Sequence, residues 1–437
     1  MDKATFADLY ASHLGFGLPI TLITIFSVYF LLRKQIYSLF DPINFLIIAG
    51  GSGYSVVFFL YSLGYISDYY FYSFLATQIA FFFGVLSNRK IPAKKIRSSQ
   101  LAPLPTYSGF ITVIYPLSVI LFIVCQFVVY YTSGIPLLMA SRLEIFSGGG
   151  GFGMVNRVIQ VTQVIAIAVA FYRLLFINKG VLYKMTDFIV IMFGLLVAVL
   201  SGSKAAVLFI IFSLSYVAIF SHRFAVSPRV FKKINTISFV LFILGFFGGV
   251  ITIIYQTGNS DLNTAVSVLA MRFINTGDIY YMSYPYGQIE NMESGNFFLA
   301  LFKDFFGAFR ILDWDKLPVN LGLQVFWSHY NTDMVSGPNP RHNVFGLFYL
   351  GPVLSVFYSF VIGYLFSFIR NKILLKTKPD FLGLIFYVLL ASNTIYMEQD
   401  MTYAIGQLIS IMMVYLPLYG ISRFMAFASQ KPRAING

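Results

Sequence analysis

Cysteine, tryptophan, histidine and charge are all scarce in this chain. Its 437 residues include one cysteine, two tryptophans and four histidines, and only 11% of them are charged. The single cysteine, Cys125, excludes an intrachain disulfide, so the segments outside the apolar runs must be held by packing. Because 58% of the residues are hydrophobic, a soluble fold would expose too much apolar surface to water.

Several familiar motifs are missing as well. Residues 1–13 are polar and lack a basic stretch, so no cleavable signal peptide is expected. The run GGGGFG (Gly148–Gly153) formally matches a dinucleotide fingerprint, but no strand precedes it, and a nucleotide site is therefore rejected. Neither a tandem repeat nor the paired broken helices of an inverted-repeat transporter can be seen.

The chain does have long apolar runs, close to the 20 residues that cross a bilayer. They predict an all-α, polytopic integral membrane protein with about eleven transmembrane helices, forming a single domain over residues 1–437. The predicted spans are residues 14–32, 43–65, 70–88, 109–131, 156–177, 186–201, 204–221, 236–256, 343–369, 381–397 and 403–422.

Most of the 30 basic residues follow the odd-numbered spans. The cluster after the third span is Arg89, Lys90, Lys94, Lys95 and Arg97. The positive-inside rule makes this side cytoplasmic, which places the N-terminus outside and the C-terminus inside. The formal net charge of +13 is therefore a topology signal, and no nucleic-acid partner is expected.

Two segments on the outer side are long enough to carry function, residues 132–156 and residues 256–342. The second contains both tryptophans, and residues 296–314 have the apolar spacing of an amphipathic helix at the membrane interface. Within the segment 256–342, Tyr280, Tyr281 and Tyr284 lie close in sequence to Asp278. Aromatic rings stack on sugar faces, and carboxylates accept hydrogen bonds from sugar hydroxyls, so this group predicts a sugar-binding site. The alternative is an aromatic belt that anchors the protein at the headgroups.

A few basic residues on the outer side stand at positions that suggest a ligand. They are Arg142, Arg272, Arg341 and Lys204. The arginine fork matches phosphate oxygens, so arginines that converge on one pocket predict a diphosphate site. The alternative is that each residue contacts a lipid phosphate or a nearby acid.

His342 stands next to Arg341, where loop composition gives way to the ninth apolar span. A histidine there can accept a proton from a hydroxyl nucleophile, and the adjacent positive charge favours its neutral form. His342 is therefore the candidate base, with a purely structural histidine as the alternative.

This pattern resembles the O-antigen polymerase (Wzy) family in its many spans, two outer loops and basic inner loops. The family's Arg-x10-Gly motif is matched by Arg142 and Gly153, whereas Arg341 has Pro352 at the corresponding glycine position. The stretch RHN…GP is similar to the histidine motif of O-antigen ligases.

The resemblance implies an enzyme of the bacterial inner membrane whose active site and N-terminus face the periplasm. Two undecaprenyl-diphosphate-linked glycans would meet there, as donor and acceptor, and undecaprenyl diphosphate would be released. Arg142, Arg272, Arg341 and Lys204 would bind the diphosphate, His342 would be the base, and no cofactor or metal is implied. The other partners are membrane lipids and a chain-length regulator. An O-antigen ligase and a lipid-linked oligosaccharide flippase or other transporter remain as alternatives.

Overall fold

The computed structural model describes residues 1–38, 41–91, 109–139, 153–177, 180–224, 271–330 and 334–428, and isolated positions at 103–104 and between 236 and 254. The helices in these residues are, in chain order, α1 (Lys3–Ser12), α2 (Leu14–Gln35), α3 (Pro42–Ser62), α4 (Asp68–Ser87), α5 (Phe110–Ser133), α6 (Gly153–Phe176), α7 (Val181–Leu200), α8 (Lys204–Ser221), α9 (Asp278–Ser283), α10 (Phe297–Leu301), α11 (Lys303–Ala308), α12 (Leu321–His329), α13 (His342–Lys376), α14 (Phe381–Gln399) and α15 (Met401–Ala428).

Nine helices of the described residues, α2 to α7 and α13 to α15, are long and apolar enough to cross a membrane. This agrees with the coarse prediction of a helical, multi-pass membrane protein. The helix α8 matches the predicted span 204–221. Of the 21 positions in the predicted span 236–256, nine are described, and twelve lie outside the described residues.

The chain forms two compact units. The first comprises residues 1–91, 250–376 and 393–406, and the second comprises residues 92–249, 377–392 and 407–437. Of the predicted site residues that the structure describes, Lys204 belongs to the second unit and the others to the first.

In the first unit, α4 and α13 pack with almost no space between their backbones. A Cβ atom on Gly84 would lie 2.2 Å from the carbonyl oxygen of Phe360, and one on Gly363 would lie 2.0 Å from that of Phe81. Small residues allow this approach, which is a common way for membrane helices to associate. The close contact fixes the helix that carries His342 against α4.

The helix α13 consists of a short arm, residues 342–350, and a long arm, residues 352–376, which meet at Gly351. Gly351 has φ 72° and ψ −179°, a backbone conformation that only glycine adopts readily. Pro352 then begins the long arm, where its missing N–H costs nothing. The pair Gly351 and Pro352 therefore ends one helix and starts another.

The two arms fold back on each other. His342 Nδ1 lies 2.9 Å from Ser359 Oγ, although 17 residues separate them. A straight helix would hold them about 25 Å apart. The rings of Phe345 and Tyr358 also contact each other across the two arms, with centroids 5.9 Å apart. The predicted single span 343–369 is thus a helical hairpin, because apolar composition does not specify chain direction.

The segment 271–330 is built from short helices. The predicted amphipathic helix 296–314 is present as α10 and α11, which are separated at Phe302. Ala300, Leu301 and Gly307 are buried, whereas Phe298 is 65% exposed. The predicted single helix 296–314 is therefore wrong in its extent, because the α-helical residues end at Ala308 and form two short helices. Its position at the membrane interface stays a prediction.

The second unit contains α5 to α8. A buried ion pair joins Arg173 of α6 to Asp187 of α7, with 3.2 Å between Nε and Oδ2. Tyr115 of α5 donates its hydroxyl hydrogen to the same aspartate at 2.7 Å. These polar contacts connect three apolar helices at one end of the unit.

Candidate functional site

The candidate site of the first unit is centred on Arg341, which is 1% exposed. Its Nη1 donates to Glu398 Oε1 at 2.5 Å, and its Nε donates to the carbonyl of Thr276 at 3.0 Å. The guanidinium lies over the rings of Tyr54 and Tyr280, at 5.2 and 5.7 Å from their centroids. Segments that are distant in the sequence therefore hold one positive charge.

Room for this guanidinium comes from a glycine of α3. A Cβ atom on Gly53 would lie 2.6 Å from Arg341 Nη2. Gly53 is nine residues from the end of α3 at Ser62, about 14 Å at 1.5 Å per residue. Arg341 thus reaches the interior of an apolar helix, well away from its end.

The backbone at Arg341 is strained. Its φ of 39° with ψ of 151° lies in a region that residues with a side chain rarely occupy. Its backbone N–H donates to the carbonyl of Gln399 at 2.7 Å, which holds the chain in this conformation. A non-glycine residue kept in such a conformation is commonly part of a functional site.

Glu398 is the counter-ion of Arg341, and it is also 1% exposed. Its Oε1 accepts a second hydrogen bond, from the hydroxyl of Tyr54 at 2.9 Å. Its Oε2 is buried and has no hydrogen-bond partner among the described residues. The pair is therefore desolvated but only partly satisfied, an arrangement that is costly for stability.

His342 is buried directly beside this pair. Its ring stacks on Phe81 with 4.6 Å between centroids, and Nδ1 contacts Ser359. The side chain is 1% exposed, and Nε2 has no hydrogen-bond partner in the described part of the chain. The predicted role of His342 as a base stays a prediction, and any substrate would have to reach a fully enclosed ring.

Asn343 extends the polar network into α4. Its Oδ1 accepts the hydroxyl hydrogen of Tyr280 at 2.7 Å, and its Nδ2 donates to Thr77 Oγ1 at 2.9 Å. The network of Arg341, Asn343 and Tyr280 thereby joins α4, α9 and the start of α13. Satisfied buried networks of this kind make a site rigid.

The predicted sugar-binding tyrosines are interior residues. Tyr280 and Tyr281 are 0% exposed and Tyr284 is 1% exposed. Tyr281 stacks on Phe6 of α1 at 4.2 Å, and Tyr284 stacks on Tyr70 of α4 at 5.1 Å. The structure places Tyr280 next to Arg341, and the rings of Tyr281 and Tyr284 pack against other aromatic side chains.

The segment before these tyrosines contacts the interior of α3 through Thr276. Thr276 Oγ1 donates to the carbonyl of Ala49 at 2.6 Å. Ala49 is thirteen residues from Ser62, which corresponds to about 20 Å along α3. Part of the segment 256–342 therefore packs within the helices of the first unit.

Asp278 begins α9 and is partly exposed. Its Oδ1 accepts the backbone N–H of Ile279 at 2.9 Å. Burial raises the pKa of the Asp278 carboxyl to about 7, although the positive charges of Arg341 and Lys3 oppose the shift. This carboxyl therefore titrates near neutral pH.

The remaining predicted cations are not seen at this site. Arg142 lies outside the described residues, and Lys204 begins α8 in the second unit, with its side chain outside the description. Arg272 is exposed, four residues before Thr276. Of the four predicted diphosphate ligands, Arg341 is the one that the structure places in the network.

Sequence reasoning missed Glu398. It is separated from Arg341 by 57 residues, so no local pattern joins the two. An acid at the end of a long apolar run, in the sequence YMEQD, was the available signal, because ionisable residues within membrane helices usually need a partner. Among the described residues, no group of three or more metal-ligating side chains lies close enough together to hold an ion.

These features define a helical, multi-pass membrane protein with a buried, charged network at the start of a helical hairpin. Comparisons with protein-family models, curated proteins and solved structures find no match for this chain.

Proposed function

We propose that the chain is a glycosyltransferase that polymerises undecaprenyl-diphosphate-linked oligosaccharide repeat units into O-antigen polysaccharide. The reaction takes place at the periplasmic face of the bacterial inner membrane and releases undecaprenyl diphosphate. The topology has eleven spans, with the N-terminus in the periplasm and the C-terminus in the cytoplasm. The donor and the acceptor are both lipid-linked glycans, and the enzyme uses no cofactor.

The observation that supports this proposal best is the position of Arg341. Its charge is permanent, its backbone is strained, and it is buried among apolar helices with one carboxylate as counter-ion. Such an arrangement reduces stability, so we attribute it to a ligand. A diphosphate leaving group is an anion whose oxygens match the planar fork of the guanidinium.

In the proposed reaction, Arg341 stabilises the charge that develops on the departing diphosphate. Glu398 is the resident partner of the guanidinium, so the diphosphate competes with it for Nη1. Arg142, Arg272 and Lys204 are the proposed further contacts of the diphosphate. Tyr280, Tyr281 and Tyr284 line the path of the sugar once the segment that carries them opens.

A flippase or other transporter is the second candidate. Its support is that the Arg341–Glu398 pair lies beside the interior of α3 and at the start of a helix that is broken at Gly351. Broken helices and charges at this depth are common in transporters. An O-antigen ligase, which uses the same donor, is distinguished by its acceptor.

Deletion of the gene in its native host tests these functions. Lipid A–core that carries one repeat unit, without the polymer ladder, supports the polymerase. Bare core with polymer on the lipid carrier outside the membrane supports the ligase, and bare core with single units trapped inside supports the flippase. Return of the wild-type gene must restore the ladder, and an unchanged ladder after deletion contradicts all three functions.

A further inference from the structure

A base for the acceptor hydroxyl has to be reachable by substrate and close to the leaving-group arginine. His342 stands beside Arg341, but its 1% exposed ring lies against Phe81 and Ser359. Glu398 is equally buried and already accepts from Arg341 and Tyr54. Neither group presents a free lone pair to an open surface.

Asp278 meets both conditions. It is partly exposed. It also lies two residues after Thr276, and the carbonyl of Thr276 accepts a hydrogen bond from Arg341 Nε at 3.0 Å. Its Oδ1 is oriented by the backbone N–H of Ile279, which leaves the carboxylate fixed at the start of α9. Asp278 is therefore a partly exposed carboxylate two residues from a direct contact of the guanidinium.

The charged and titratable groups around Asp278 come from three elements. Two of the elements supply positive charges, Arg341 before α13 and Lys3 at the start of α1. The third group, Tyr281 on the same helix as the aspartate, is a neutral hydroxyl. Both cations favour the ionised carboxylate, whereas burial opposes it more strongly. The resulting pKa of the carboxyl, about 7, suits a general base, because a base works best with a pKa near the working pH.

We propose that Asp278 is the general base of the polymerisation, an inference that rests on the proposed function. The acceptor hydroxyl oxygen forms a bond to the anomeric carbon of the donor, and the bond from that carbon to the diphosphate oxygen breaks. The electron pair of the broken bond leaves with the diphosphate, beside Arg341. The hydroxyl proton passes to the Asp278 carboxylate and then to water.

Asp400 is the competing carboxylate. It joins α14 to α15, its Oδ1 accepts the backbone N–H of Tyr403 at 2.9 Å, and burial raises the pKa of its carboxyl to about 6. The charges that act on it are those of Asp304 and Lys303. Asp400 follows Gln399, which accepts the backbone N–H of Arg341, whereas Asp278 lies two residues from Thr276, which accepts from the guanidinium itself. Asp278 is therefore on the side of the group that would meet the leaving diphosphate.

The test uses the full-length protein in proteoliposomes with undecaprenyl-diphosphate-linked repeat units extracted from the deletion strain. Polymer formation is measured over a pH series for the wild type, Asp278→Asn, Asp278→Glu and Asp400→Asn. The matched control is Asp313→Asn, because Asp313 is 78% exposed in a surface ion pair with Lys316. Detergent-extracted yield and thermal midpoint report whether each variant is folded.

A general base contributes roughly 10²- to 10⁴-fold to a rate, so Asp278→Asn should lower kcat by that factor with little change in KM. The wild-type rate should rise with pH through the titration of Asp278, and that rise should be absent in Asp278→Asn and partly restored in Asp278→Glu. Asp313→Asn should keep the wild-type rate and profile.

Two results overturn the inference while the proposed function stands. One is a folded Asp278→Asn variant with the wild-type rate and pH profile, and the other is loss of the profile in Asp400→Asn alone. If the wild type itself makes no polymer from the extracted units, the proposed function fails first. The inference then fails with it.

Discussion

Removal of Glu398 should destabilise the protein much more than removal of an exposed ion-pair partner. Glu398→Ala leaves the buried guanidinium of Arg341 without the carboxylate that pairs with it, since both side chains are 1% exposed. It also removes the acceptor of the Tyr54 hydroxyl. The change therefore isolates one buried charge and one buried donor.

The size of the effect follows from these two losses. Loss of one partner of a buried ion pair costs about 3–5 kcal/mol, because the charge that remains is desolvated. The chain supplies a matched control in Asp313, whose ion pair with Lys316 is 78% and 70% exposed. Asp313→Ala should change the free energy of unfolding by no more than about 1 kcal/mol.

A double variant separates the charge from the packing. In Arg341→Met with Glu398→Leu, no buried charge is left, and replacement of a buried pair by apolar residues is often neutral or stabilising. The Tyr54 hydroxyl still loses its acceptor, which costs about 1–3 kcal/mol. The double variant should therefore be more stable than Glu398→Ala, although it lacks the proposed diphosphate contact and should be inactive.

The assay is equilibrium unfolding in mixed micelles, followed by tryptophan fluorescence or by protease susceptibility, for the wild type and the three variants. Glu398→Ala and Asp313→Ala with equal free energies of unfolding would show that the Arg341 charge is compensated without Glu398. A double variant less stable than Glu398→Ala would show that the pair stabilises the fold in its own right. Either result refutes the argument that the buried charge is kept for function.

Three further predictions concern packing, pH and the first outer segment. Gly84→Leu should prevent α4 from packing on α13 and abolish folded protein in membranes. The control Gly295→Leu should accumulate normally, because an added Cβ there meets nothing within 4 Å. Equal yields of the two variants would contradict the close contact. Burial raises the pKa of the Asp278 carboxyl to about 7 and that of the Asp400 carboxyl to about 6, well above the ordinary range of an aspartate. The native state then binds more protons than the unfolded chain, so the thermal midpoint should fall as pH rises from about 4 to 7. A midpoint that rises over this range would contradict the raised pKa values of the two carboxyls. Arg142→Ala should abolish polymerisation at normal membrane abundance, and a wild-type ladder would remove this arginine from the mechanism.

The predicted spans agree with the helices wherever a long apolar run corresponds to one helix. The predicted 43–65 is observed as Pro42–Ser62, and the predicted 156–177 as Gly153–Phe176. This agreement has a simple cause, because backbone groups in lipid must be paired within a helix and the apolar length fixes how far it extends. Helix existence is therefore encoded locally.

Chain reversal and side-chain partnership are encoded less locally. The run 343–369 is continuously apolar, and its reversal depends on one glycine, Gly351, which has a φ of 72°. Hydropathy carries no information about this backbone angle. The sequence predicts that Tyr280, Tyr281 and Tyr284 bind sugar, because they are clustered with an aspartate in a predicted loop. Their burial depends on rings such as Phe6 and Tyr70, which come from other parts of the chain. Composition identified the important segment but not the partners of its side chains.

The way in which Arg341 is held favours an enzyme over a transporter. Its backbone N–H, its Nε and its Nη1 each have a fixed acceptor, on Gln399, Thr276 and Glu398 respectively. A transporter that alternates its access has to break such contacts and remake them in every cycle, at the cost of exposing a desolvated charge. In the proposed enzyme, the diphosphate replaces Glu398 at Nη1, whereas the backbone N–H and Nε keep their acceptors and hold the charge in place for a developing anion. Fewer contacts of Arg341 change in that reaction than in alternating access, which is our reason for proposing an enzyme rather than a transporter.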